Sequence, residues 1–157
     1  MGLAITTVGA KVYYAPEATA GTRPTTANSW VELVGVAEAP EIALDVEALD
    51  CSDISDLIER TVDGRQSNPG NIEFTLNHRD EVITAWEGLV TAYSTAAASS
   101  KSIWIEYWYP NAAKSFFYTI IPKALGNSGI TPNEANQIPA PAVCSKVEGW
   151  ATKISHS

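Results

Sequence analysis

Between Glu41 and Leu49 apolar and polar residues alternate, with Ile42, Leu44 and Val46 on one face and Ala43, Asp45 and Glu47 on the other. Asn71–Asn77 repeats the pattern: Ile72, Phe74 and Leu76 point one way, Glu73, Thr75 and Asn77 the other. A period of two predicts strands with one buried and one wet face. Trp30–Val36 reads as a shorter strand, and Ala39-Pro40 breaks the chain before the next one, because proline lacks the ladder donor. Ser102–Tyr109 and Ser115–Ile121 read as strands joined in a hairpin through Pro110–Lys114, and Val143–Ile154 reads as the closing strand.

A different period governs residues 81–93. Val82, Trp86, Leu89, Val90 and Tyr93 recur at helical spacing and form one stripe, which predicts a helix that packs on the sheet. Asp80 is placed to cap it and Glu81 to face the positive end of the helix dipole. Residues 1–28 are rich in Ala, Thr, Gly and Pro, and only Lys11–Tyr14 is strand-like. They read as an N-terminal arm, partly tied at best to a β domain over residues 29–157. The glycines and prolines of Lys123–Ala142 predict a loop. The expected fold is α+β and mainly antiparallel: a small β-sandwich or barrel with one flanking helix, a long inter-strand loop and a terminal arm.

Residues 50–70 stand out as that loop. Roughly twenty polar, turn-rich residues between two strands is an uncommon length in a compact domain and is usually functional or disordered. The segment also carries Leu57, Ile58 and Val62 among acids, with Arg60 beside them. Apolar loop residues need burial, and a neighbouring subunit offers it.

Composition narrows the function. The 157 residues fit one domain, and 45% hydrophobic residues are enough for a core. Ten basic against eighteen acidic residues give a charge of −8. That argues against tight nucleic-acid binding, which rests on Lys and Arg neutralising phosphates. It leaves open a protein that lets nucleic acid pass without holding it, since an acidic wall repels phosphate. Cys51 and Cys144 form no metal-type cluster; with no export signal in the N-terminal residues, reduced thiols are favoured over a disulfide. No stretch has the length of a membrane span.

Candidate chemistry is sparse. No phosphate-binding loop, zinc-protease or nucleophile-elbow motif is present. His78 sits at a corner between strand and helix, and His156, near the end of the sequence, reads as disordered. Asp50, Asp53, Asp56 and Glu59 recur every third residue without the spacing of a calcium loop, so solvated or interface charge outweighs a cation site or a hydrolase. Trp104 and Trp108 in an aromatic strand admit a sugar-binding β-domain, but packing under a neighbouring segment or subunit is favoured. The reading is a protein without cofactor, metal or catalytic site.

The succession of Trp30–Val36, Glu41–Leu49, the loop ending in Asn68-Pro69-Gly70, the strand Asn71–Asn77, a short helix, a late hairpin and a closing strand resembles the major tail tube proteins of long-tailed bacteriophages. The likeness runs from Trp30 to Ala151. It implies six copies in a ring, and rings stacked into a hollow virion tail tube that conducts DNA. The implied partners are other copies, a tape measure protein, and tail tip and terminator proteins, assembled in the bacterial host cytoplasm. Asp45, Glu47, Glu73, Thr75 and Asn77 would face the lumen, while Leu57, Ile58, Arg60 and Val62 would bridge subunits. The alternatives are a tube of a phage-derived particle or secretion apparatus, and a tail terminator or connector.

Overall fold

The computed structural model describes residues 9–50, 61–67, 69–127, 129–130, 132–133 and 135–156, with backbone alone for 45–50 and 61–67. The strands are β1 (Lys11–Pro16), β2 (Val31–Glu32), β3 (Val36–Glu38), β4 (Asp45–Asp50), β5 (Thr61–Ser67), β6 (Asn71–Asn77), β7 (Ile103–Trp108), β8 (Lys114–Pro122) and β9 (Gln137–Thr152), with helix α1 (Asp80–Ala97) between β6 and β7. Seven of them make one antiparallel sheet in the order β2-β1-β7-β8-β9-β6-β3, curled into a half-barrel with the helix on its flank. Strands β4 and β5 pair only with each other. No described helix is long and apolar enough to cross a membrane.

The concave face is the main core. Ile72, Phe74 and Leu76 of β6, Ile103 and Ile105 of β7, Tyr118 and Ile120 of β8, and Ile138, Ala140, Ala142 and Cys144 of β9 pack there. Helix α1 closes this face. Val82, Trp86 and Leu89 are fully buried, and Val90 and Tyr93 pack partly buried against the same cluster. The Trp86 indole tilts against Phe74, 5.8 Å between ring centres, and its N–H donates to the Lys123 carbonyl at 2.8 Å.

Helix α1 is longer than the apolar stripe suggests. Ser94–Ala98 carries no glycine or proline, and its alanines are the best helix formers. The chain stops it with a left-handed Ser100 (φ 59°) while Lys101 N–H bonds back to the Ala96 carbonyl, a Schellman ending. Asp80 is the first helical residue rather than the cap; Arg79 holds the cap position with extended backbone and no capping side chain. Both Asp80 and Glu81 still lie in the first turn, where the dipole favours them.

Four expectations are corrected. Residues 11–16 do not belong to a loose arm: β1 lies between β2 and β7, with Val12, Tyr13 and Ala15 buried. Its apolar residues fall on both faces and show no clean alternation, so the Gly/Pro-rich surroundings outweighed them. Residues 137–142 are not loop but the first part of β9, paired with β6 from Gln137↔Asn77 to Ala142↔Ile72. Proline is tolerated there because the Pro139 and Pro141 carbonyls accept from Gly126 and Lys123 on the side away from β6. In a strand the N of each residue points with its own C=O, so no β6 ladder bond needs a proline donor. Residues 50–70 are not one long loop. Thr61–Ser67 pairs back onto Asp45–Asp50, with Leu49 opposite Val62. The strand expected over Glu41–Leu49 begins only at Asp45, and it leaves the main sheet altogether.

Candidate assembly surfaces

Two faces and one end of the half-barrel present groups that a soluble core does not need. On the convex face of β6, Asn71, Glu73 and Asn77 are exposed and Thr75 is half-buried. Their cross-strand neighbours are Val143, Pro141, Gln137 and Pro139 of β9, all half-buried or exposed. This strip of sheet carries one charged side chain, Glu73. Asp45 and Glu47 belong to the separate β4–β5 sheet, and the register of β4 shifts between Val46 and Ala48. The structure therefore does not bring Asp45 and Glu47 onto the sheet that carries Glu73. Leu57, Ile58 and Arg60 lie outside the described residues; Val62 is placed by its backbone in β5.

The convex face over β1, β7 and β8 is covered instead. Tyr13, Ala15, Trp104 and Phe117 form a second cluster with Trp30 and Ile154. Two segments lie on it, each tied by a buried carboxylate. Glu17 accepts from the Ser102 N–H at 2.9 Å, the Gly21 N–H at 3.1 Å and the Trp104 indole at 2.8 Å. Burial alone would push the Glu17 carboxyl up, but these bonds and the nearby Lys146 hold it below the usual carboxylate range. Glu106, fully buried, accepts from the Ile154 N–H at 3.1 Å and pairs with His156 Nε2 at 2.8 Å. The His156 ring stacks on Tyr13 with 3.7 Å between centres. His156 is thus an ordered clamp, contrary to expectation. The signal for it was present: Glu106 is a lone carboxylate in the apolar strand IWIEYW, and a buried carboxylate needs a partner.

This packing is the one favoured from the sequence over a sugar platform. Trp104 is 2% exposed with its N–H spent on Glu17, and Lys153 Nζ lies 4.8 Å from the centre of the Trp108 ring. The exposed indole is Trp150, at 60%. His78 stays at an exposed corner, 2.6 Å from Asn136 Nδ2. Cys144 is a free, buried thiol that burial pushes up from its ordinary pKa; Cys51 lies outside the described residues. No group of His, Cys, Asp and Glu among the described residues could hold a metal ion.

One end of the half-barrel is open. The strand ends at Lys11, Trp108, Lys114 and Thr152 lie together there, by the pairings of β1 with β7, β7 with β8 and β8 with β9. Between them and the segment Gly35–Ile42 runs a groove of about 760 Å³. Tyr107 forms its floor. The Tyr107 hydroxyl donates to the Pro40 carbonyl at 2.7 Å and accepts from Tyr118, and burial pushes its pKa up.

No family model matches the chain, and no curated protein matches it. Solved structures do. A chain of the sixfold-symmetrised baseplate of the anti-feeding prophage superposes with a TM-score of 0.62 at 6% identity, covering 98% of this chain and 100% of that one. A chain of the tail of an empty gene transfer agent particle, of C6 symmetry, gives 0.56 at 9% identity over 96% and 99%. A chain of the tube-terminating cap of the anti-feeding prophage gives 0.55 at 13% identity over 98% and 94%. At such identities the likeness is one of fold: this chain shares the fold of chains found in phage-type tail, baseplate and cap particles.

Proposed function

We propose that this chain is a structural subunit of a phage-type virion tail, in which sixfold rings of copies stack into a tube that conducts DNA into the host. The observation that carries it is the match over nearly the whole of both chains to a tail subunit of C6 symmetry. The physical features agree. A two-stranded sheet standing apart from the main one is marginal in water by itself and gains from a neighbour. The edge strands β2 and β3, of two and three residues, leave sheet edges that a ring can continue and so protect. The role needs no cofactor, no catalytic site and no membrane. Its partners are other copies, a tape measure protein, and tail tip and terminator proteins.

The lumen is assigned to the wet strip of β6, Glu73, Thr75 and Asn77, with Asp45 and Glu47 from the adjoining hairpin. Leu57, Ile58, Arg60 and Val62 are assigned to contacts between subunits. A net charge of −8 suits a wall that repels phosphate. Reversing Asp45, Glu47 and Glu73 to Lys is expected to leave assembly intact and make the tubes retain DNA, with binding that weakens as salt rises. Co-sedimentation of DNA with the tubes reads this out, and release like that of wild type would remove these residues from the lumen.

A second reading, a terminator that forms one ring and stops, is favoured by the likeness to a tube-terminating cap. Negative-stain electron microscopy over a concentration series separates the two. Hollow tubes with a regular axial repeat are the expected result. Discrete rings that never stack would replace the tube by the terminator, and a monomer at every concentration would overturn both.

A further inference from the structure

The groove at the open end combines apolar walls with one sign of charge. Val12, Leu33, Val36, Tyr107 and Phe116 line it with apolar surface. Glu32, Glu38 and Glu41 also line it and are exposed, against Lys11 as the one lining cation among the described residues. Tyr109, Phe116 and Trp150 form an aromatic wall, with the Trp150 ring centre 6.2 Å from that of Tyr109 and 5.4 Å from that of Phe116. The exposed apolar side chains gather by the same lining. Trp150 belongs to it, Val31 and Val34 flank its residues Glu32, Leu33 and Gly35, and Leu44 follows two positions after Ile42. Of the exposed large apolar residues among those described, only Ile130 is remote from the lining in sequence. Exposed apolar surface rimmed by polar groups marks a place where another molecule sits.

The acid-bearing wall is held in place before anything binds. The Gly35 carbonyl accepts the Asn77 N–H at 2.8 Å, and Glu38 pairs with Thr75 in the sheet. The Pro40 carbonyl, between Glu38 and Glu41, accepts the Tyr107 hydroxyl at 2.7 Å. A wall fixed in advance loses little freedom when a partner arrives.

We propose that this groove docks a basic, amphipathic segment of a different protein chain, with apolar side chains against the aromatic wall and Lys or Arg side chains at Glu32, Glu38 and Glu41. The sign of the charge selects the occupant. An acidic lip repels nucleic acid, and a second copy brings a net charge of −8 toward it. A cation gains twice: the carboxylates attract it, and so do the faces of Trp150 and Tyr109. Val31, Val34 and Leu44 are exposed without lining the groove itself, and they give a chain segment more to cover than a small molecule would. The site does not depend on the tube reading, since a ring, a tube and a single subunit all carry it.

The test titrates the full chain with a short synthetic peptide of leucine and arginine, blocked at both ends, and follows the heat of binding. Saturable binding that weakens as salt rises is expected. Glu38→Gln with Glu41→Gln should weaken it about tenfold and flatten its salt dependence. Trp150→Ala should also weaken it about tenfold but leave the salt dependence in place. All three side chains are exposed, so the far-UV spectra and melting temperatures should match wild type. Glu81→Gln with Glu87→Gln removes the same charge from exposed positions of α1 outside the groove lining, and should leave binding unchanged. The same peptide with glutamate in place of arginine, or with serine in place of leucine, should bind at least about tenfold more weakly. No binding by wild type, an equal loss in the α1 variant, equal affinity for either control peptide, or full affinity in the Glu38/Glu41 or Trp150 variants would each overturn the proposal. So would an affinity that falls as the protein concentration rises, which would give the groove to a second copy.

Discussion

Trp86→Ala is expected to remove about 3–5 kcal/mol of stability, the range for deleting a buried tryptophan from a packed core. Whole domains are stable by only about 5–15 kcal/mol, so this one change removes about a fifth or more of the total. The site explains the size. Trp86 is fully buried, leans on Phe74, and sits centrally on the stripe that joins α1 to the sheet. Its indole N–H also satisfies the Lys123 carbonyl, which loses that donor in the variant. Urea denaturation followed by far-UV circular dichroism measures the effect. A loss below about 1 kcal/mol would mean that the helix settles into the space, against the rigidity expected of close packing.

Gly35→Ala should be nearly as damaging by a different route. Gly35 has φ +76°, in the left-handed region, which costs about 1–2 kcal/mol for a residue with a Cβ. The added Cβ would also overlap Val82 Cγ2, and Val82 is a fully buried residue of α1 that has nowhere to go. Overpacking of this kind costs about 1–3 kcal/mol more. Gly35 cannot simply shift, because its carbonyl accepts the Asn77 N–H at 2.8 Å and so holds the turn to β6. Gly21→Ala is the internal comparison. Its φ is +82°, and nothing lies within 4 Å of the added Cβ. The difference between the two losses in denaturation experiments isolates the clash with Val82. Equal losses would show that backbone strain is all that Gly35 avoids.

The elements legible in the sequence are those whose period is unbroken. Ile72, Phe74 and Leu76 alternate without interruption, and Val82, Trp86 and Leu89 keep one helical face, so β6 and α1 could be placed with their buried sides. β1 was under-read because Tyr13 and Ala15 pack on one face and Val12 on the other. A strand buried on both sides shows little contrast between polar and apolar positions. The start of β9 was hidden by Pro139 and Pro141, which forbid a strand only where the partner needs their N–H. The hairpin β4–β5 was hidden because pairing is a relation between two segments, and Thr61–Ser67 has no alternation of its own. At the surfaces, Glu73 and Asn77 were readable as exposed from alternation alone. The groove was not, since Glu38, Tyr109 and Trp150 come together only when the sheet curls.

The sixteen-residue strand β9 has a consequence for how the chain folds. Its first part pairs with β6 and its second with β8, and no other ladder joins the two halves of the seven-stranded sheet. Neither half can complete its hydrogen bonding before the last described strand of the chain is in place. β1 likewise waits for β7, far along the sequence. Such non-local pairing slows folding, and makes one strand the tie between the two halves of the sheet. A nascent chain can therefore pair β1, β7 and β8 as they emerge, but the β6 half of the sheet stays unjoined to them until β9 follows.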